Sequence, residues 1–175
     1  GCRIADLKAR RTVFRGEVDC SGSTFVGNTR FGADYDGIAT KGSWRVEDGA
    51  AFHAAVQFSG CRFHGRLYAG GTTFHAPVNL RPSFFRGIVA FPAATFHDKA
   101  WFTFCRFNSG VSFAEATCKG ELFDIGSSVF EREAKFHRLE IENRMSAWGS
   151  VFYDNADFYR ARLHKELILA RSTFA

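Results

Sequence analysis

The sequence holds no long apolar run. Near its end the longest uninterrupted apolar stretch is Leu167-Ile168-Leu169-Ala170. A membrane-spanning helix needs roughly 20 such residues, so no helical span is expected. No signal-peptide pattern opens the chain. It has no starting Met, and its pattern runs nearly to both ends, so it reads as an excised or processed piece lacking its caps. Gly-rich phosphate loop, nucleophile elbow and metalloprotease helix signature are all missing. A catalytic triad would need converging loops, and none is suggested. The reading is therefore of a non-enzyme, with no catalytic residue and no cofactor assigned.

Helical periodicity is missing too. A helix would place apolar residues three and four apart. Here they fall at alternating steps of five and six: Phe52, Phe58, Phe63, Phe74, Leu80, Phe85, Phe91, Phe96, Phe102, Phe107, Phe113 and Cys118, with Ala69 the weak slot between Phe63 and Phe74. A second signal stands two residues before each of these. Cys61, Thr72, Ser83, Ala94, Cys105 and Ala116 precede those reached by a five-residue step. Val56, Val78, Val89, Ala100 and Val111 precede those reached by a six-residue step. Residues two apart on a strand share a side. Each unit thus turns one small and one large side chain inward. Repetition of such units without helical stretches describes a β-solenoid.

The triplet Ala5-Asp6-Leu7 resembles the most frequent unit of the pentapeptide-repeat family. Ala156-Asp157-Phe158, Ser83-Phe84-Phe85, Ala94-Thr95-Phe96 and Cys105-Arg106-Phe107 are similar to its Phe-centred form. The resemblance covers most of 5–174. It implies an all-β fold, the right-handed quadrilateral β-helix, and a bacterial protein. The family's simplest members step by five throughout; the five-six alternation here gives 22 residues per coil instead.

One domain over 1–175 is expected, as a rod of roughly eight coils. The opening part carries Leu7, Phe14, Cys20, Phe25 and Phe31, with Thr12, Val18, Ser23 and Thr29 in the smaller slots. The register then fails from Gly32 to Gly49, a stretch holding Tyr35 and Trp44, so 32–50 is read as an irregular coil or a protruding loop. A one-residue bulge is expected near 119–129, with Phe123 or Ile125 filling the slot before Phe130. Beyond it the ladder resumes at Phe136, Ile141, Ala147, Phe152, Phe158, Leu163, Leu169 and Phe174. Of the 21 Phe, only Phe84, Phe104 and Phe123 fall off the ladder.

Cys61 and Cys105 lie two coils apart in one column, with Ser83 between them, too far for a disulfide. Cys20 and Cys118 take large slots. Buried free thiols indicate a reducing compartment, and the chain is read as cytoplasmic. Each of the six His follows a core residue and should point outward. His53, His75 and His97 should stack one rung apart. They could share a Zn²⁺, titrate together, or simply stand on a solvated face; no Cys or carboxylate completes a tetrahedral site.

Between Phe52 and Phe113 the charges are Arg62, Arg66, Arg81, Arg86, Lys99 and Arg106 against Asp98 alone. Arg62, Phe84 and Arg106 share one column, and His64, Arg86 and Asn108 the next. Arg62, His64, Phe84, Arg86 and Arg106 therefore form the candidate interaction face, basic with an aromatic. Its expected occupant is a protein partner, the rod being a rigid scaffold. Contact with nucleic acid is the second reading. Some members of the resembled family imitate DNA and inhibit topoisomerases, but imitation needs an acidic surface, and this chain carries a net charge of +5 with a pI near 9.1. A third reading makes the rod one domain of a larger bacterial effector. Trp101, Tyr153 and Tyr159 flank core positions and should point outward or lie at corners. End-to-end dimerisation would cover the open sheet edges.

Overall fold

The computed structural model describes residues 1–32 and 49–175. It is a parallel β-solenoid of about seven turns built on four sheets, one of eight strands and three of seven. Most strands are two residues long. No helix among the described residues is long and apolar enough to cross a membrane.

The first face stacks Arg3–Ile4, Thr24–Phe25, Arg62–Phe63, Phe84–Phe85, Arg106–Phe107, Val129–Phe130, Val151–Phe152 and Thr173–Phe174. The second runs from Leu7–Lys8 through Leu67–Tyr68 to Ala156–Asp157, and the third from Val13–Phe14 through Thr73–Phe74 to Arg162–Leu163. The fourth runs from Val18–Asp19 through Val78–Asn79 to Glu166–Ile168. Neighbouring rungs pair in parallel, as Thr73 with Thr95 and Phe74 with Phe96. The 22-residue coil read from the five-six alternation is thus the rung spacing of the fold.

The ladder residues fill the interior. Phe52, Phe85, Phe96, Phe102, Phe107 and Phe113 are fully buried, and so are the small-slot residues Cys61, Thr72, Ala94 and Ala116. Rings repeat above one another because the coil does. Phe25, Phe63, Phe85, Phe107, Phe130, Phe152 and Phe174 make one continuous stack with centroids 4.5–4.9 Å apart. Each such pair adds about 0.5–1.5 kcal/mol beyond area burial.

The two step lengths correspond to two kinds of corner. In most of the five-residue steps, though not at the corner with the cis Arg81–Pro82 bond, the N–H of the small-slot residue donates to the carbonyl of the large residue three before it, as Cys61 to Phe58 at 3.3 Å and Ala94 to Phe91 at 3.2 Å. The residue just before the small slot is then left-handed: Gly60 at φ 67, Gly71 at φ 66, but also Ala93, Phe104 and Glu115 at φ 52, 56 and 59. That is the conformation a type II turn demands at its third position. The six-residue steps cross wider corners, such as His64 to Arg66.

Small-slot residues at one corner also form a polar spine. Ser83 Oγ donates to the Phe58 carbonyl at 2.8 Å and accepts the Cys61 N–H at 3.1 Å. Ser128 repeats this with the Phe102 carbonyl at 2.7 Å and the Cys105 N–H at 3.0 Å. Cys61 and Cys105 sit in this column as free, buried thiols, as the spacing requires. Burial pushes the Cys61 thiol up to about 11 and the Cys105 thiol up to about 12. Neither forms thiolate at neutral pH, so both act as small apolar groups.

Three features sharpen or correct the sequence reading. The inserted residue sits in the corner 119–122, because Thr117 still pairs with Thr95 while Phe123 already pairs with Ala100. Phe123 and Ile125 are both interior, at 1% and 0% exposure. Ile125 takes the large slot and Phe123 the smaller one used elsewhere by valine, so Phe123 belongs to the core. The segment read as an irregular coil or loop at 32–50 lies, apart from its flanks, outside the described residues. Its flanks keep register: Thr29 pairs with Leu67 just as Leu67 pairs with Val89. Because rungs pair directly across it, the eight coils counted from length become about seven.

A core substitution and a polar deletion should move stability in opposite directions. Phe96→Ala, at a fully buried ring contacting Phe74, Phe91 and Phe102, should cost about 3–5 kcal/mol. Thr29 is fully buried and its hydroxyl has no hydrogen-bond partner among the described residues, so Thr29→Val should stabilise by about 1 kcal/mol. Chemical denaturation of the two variants measures both; a destabilised Thr29→Val would contradict the packing described.

Candidate functional site

Alternation puts one residue of each strand outside, and register turns those residues into columns along the rod. On the first face Phe84 pairs with Arg62 on one side and with Arg106 on the other, as the spacing predicts. One residue further along, His64, Arg86 and Asn108 follow their core Phe and form the neighbouring column. Their backbone N–H groups bond to Phe25, Phe63 and Phe85. All five candidate residues therefore stand together on a face of parallel, in-register strands. Arg62, His64, Arg86 and Arg106 are exposed, and Phe84 is half-buried between arginines. The corner beside His64 and Arg86 is close-packed backbone. A Cβ on Gly87 would lie 2.3 Å from the Gly65 carbonyl oxygen, so glycine is required there.

The charges on this face are unevenly satisfied. Arg106 Nη2 meets Glu131 Oε1 at 2.6 Å. Among the described residues no ion pair forms at Arg62, His64 or Arg86. Glu131 lies beyond the 52–113 stretch in which basic residues prevail. The added residue at 119–122 must be counted before Glu131 falls into the column of Asn108. Toward the first rungs, Arg3, Thr24, Val26, His64 and Arg86 line a shallow depression of about 700 Å³. Arg3 thus joins the basic face, which sequence reasoning began only at Arg62.

Trp101, Phe104 and Trp148 lie on or beside the edge between the fourth and first faces, whereas Tyr153 follows the first-face strand and Tyr159 stands at the corner between the second and third faces. Phe104 is 66% exposed and left-handed at φ 56. Trp101 is half-buried, with the Arg81 guanidinium 4.6 Å from its ring centroid. Trp148 is exposed, with Arg171 over its ring at 5.7 Å. Tyr153 and Tyr159 are exposed, as their flanking positions imply.

The third face carries the histidine column. His53 and His75 stack with centroids 4.5 Å apart and planes 6° from parallel. His75 and His97 do so at 4.9 Å and 13°. In-plane lone pairs of parallel rings run side by side and do not converge. Among the described residues no group of three or more His, Cys, Asp or Glu comes together to hold a metal ion. Slight desolvation of this exposed ring, together with the neighbouring His53 and His97 charges, holds the His75 imidazole below its ordinary value.

Comparisons with protein-family models, with curated proteins and with solved structures each return no match. The fold and these columns are therefore the whole basis for a functional reading.

The depressed His75 value has a consequence for stability. The unfolded chain takes up a proton at this position near the ordinary value of about 6.5, while the folded chain does so only at lower pH. Protonation thus favours the unfolded state, and stability should fall as pH drops from about 7.5 to 5. His75→Gln should narrow that difference in melting temperature. An unchanged difference would show that the stack does not contribute to it.

Proposed function

We propose that the chain is a non-catalytic, rigid interaction module of the pentapeptide-repeat type, whose first face receives an acidic segment of a protein partner. The observation that carries the reading is the cationic and aromatic column itself. Arg62, Phe84 and Arg106 stand on successive rungs of one sheet, with His64 and Arg86 alongside. A β-solenoid held by continuous rungs is preorganised, so little conformational entropy is lost when a partner settles on it. Exposed charges steer association, and an aromatic between arginines supplies apolar contact area. Small-x-large triplets facing inward support the pentapeptide-repeat assignment. Five cysteines, all free, support a reducing compartment such as the cytoplasm.

A nucleic-acid role is favoured by the same row of arginines and by the net charge of +5. The two readings separate in solution. Fluorescence anisotropy should show a glutamate-rich peptide binding at low salt. Joint replacement of Arg62, Phe84 and Arg86 by Ala should weaken it by about tenfold or more. A duplex DNA of equal label should show little binding. Tight duplex binding that falls steeply with salt and is lost in the same variant would instead establish the nucleic-acid reading. Binding of neither probe would remove the first face as the interaction surface.

A further inference from the structure

We propose that the third face carries a separate binding site for a linear chain of phosphate groups, formed by the row Arg15, His53, His75, His97 and Lys119 and switched on by acidification. Register assembles the row. Val13-Phe14 pairs with Ala51-Phe52, so the following residues, Arg15 and His53, are neighbours. The His53 N–H bonds to the Phe14 carbonyl, the His75 N–H to Phe52 and the His97 N–H to Phe74. Lys119 closes the row, its N–H donating to the Phe96 carbonyl at 2.8 Å. Five groups that are cations, or become cations in mild acid, thus stand on consecutive rungs, spanning about 19 Å at the spacing of paired strands.

The geometry selects the kind of ligand. The imidazoles lie face to face at 4.5 and 4.9 Å. Both faces of His75 and the inner faces of His53 and His97 are covered by one another, so along the row it is the ring edges that face a ligand. Edges of protonated imidazole are N–H donors. The adjoining outward column on the same strands is Ala51, Thr73, Thr95 and Thr117, whose threonine hydroxyls can donate or accept. The corner beyond the histidines holds Ala54 and Ala76, which leave the approach low. Neither column holds a Phe, Tyr or Trp to stack on a base, and the imidazoles stack mainly on one another. A row of donors, repeated each rung and without a stacking platform, suits repeated phosphates and does not suit nucleobases.

The surrounding charges permit the switch. Arg15 and Lys119 bracket the imidazoles. Asp98, next to His97, has its Oδ1 engaged by the Lys99 N–H at 2.7 Å. Lys99 in turn pairs with Glu121 at 2.9 Å on the fourth face. Glu17 lies beyond Arg15, and Glu142 follows Lys119 in the column. On the corner leading into the face stand Arg11, Glu115 and Arg138, the last two paired at 2.9 Å. Arg15 and Lys119 are fixed cations, and the imidazoles between them add charge only when protonated. In mild acid the row becomes a nearly continuous line of positive charge whose mutual repulsion an anion would relieve. By reciprocal linkage, the ligand must raise the proton affinity of the same histidines.

Inorganic tripolyphosphate is the probe, with the histidine ring protons followed by NMR. At about pH 5.5 it should shift the resonances and raise the midpoints of His53, His75 and His97, leaving His64, His137 and His164 near their starting values. Binding should weaken by about tenfold or more on going to pH 7.5, and His75→Gln, which should keep its melting temperature at the higher pH, should weaken it similarly at the lower. Equal shifts at all six histidines, or a shift confined to His64 on the first face, would overturn the proposal. So would an oligothymidylate of matched charge that binds the same row as tightly, since that would assign the row to nucleic acid. Loss of first-face binding in the Arg62, Phe84 and Arg86 variant leaves this test unaffected.

Discussion

Each rung of the solenoid is tied to the next by backbone hydrogen bonds that run along the rod. His75 bonds to Phe52, and His97 to Phe74, one coil apart. This bonding cannot slip by a single residue without turning every side chain to the opposite side. Between corners the strand register is therefore kept along the rod, the coil length changing only at corners, and whatever occupies a given place in one coil lies beside its equivalent in the next. The phenyl stacks, the serine–cysteine spine and the outward columns all follow from that constraint. Insertions must go where no rung is interrupted: one residue enters at the corner 119–122, and the 32–50 segment enters where its flanks can still pair.

Inside, the same repetition makes packing and polarity compatible. Large rings stack at the centre while Ser83, Ser128 and Ser150 satisfy carbonyls of the preceding coil at the corner between the fourth and first faces. Replacing two of the serines' neighbours by Cys61 and Cys105 keeps the volume small, and their Sγ atoms still reach the Cys20 and Leu80 carbonyls at 3.1 and 3.3 Å. The cost of tight turning is carried by the left-handed positions. Glycine meets it at 22, 60, 71 and 149, whereas Phe104 and Arg138 adopt the same conformation with a side chain. Phe104 serves neither the core nor the turn, which sets it apart from the other phenylalanines as a surface residue.

The period of 11 was legible because core slots admit few residue types: a small residue two before a large one, over and over. The columns Arg62–Phe84–Arg106 and His53–His75–His97 followed from that period by arithmetic. What escaped was anything decided by local geometry. Side-chain spacing alone could not say that Phe123 would enter a valine slot, because both it and Ile125 suited the interior. It did not reveal that Ser83 and Ser128 bridge coils, since Ser in a small slot looks like Ala. Nor did it show that the histidine rings would be parallel, the feature that sets the lone pairs side by side. Outward also does not mean exposed. Tyr68 and Ala90 face out by alternation and are nevertheless buried, with Arg66 Nη1 on the Tyr68 hydroxyl at 3.0 Å.

Outside, repetition turns single residues into rows, so a modest net charge becomes a concentrated feature on two different faces. Both readings of those faces stand on the 22-residue register, which can be tested without any ligand. Deleting residues 74–95 joins Thr73 to Phe96, which lies directly beside Phe74 in the next rung. The shortened rod should keep its β-sheet circular dichroism and unfold cooperatively, at a somewhat lower temperature. Deleting residues 74–91 from the same point breaks the register and should abolish folding. Equal behaviour of the two deletions, or loss of structure in the first, would contradict the solenoid register on which everything above depends.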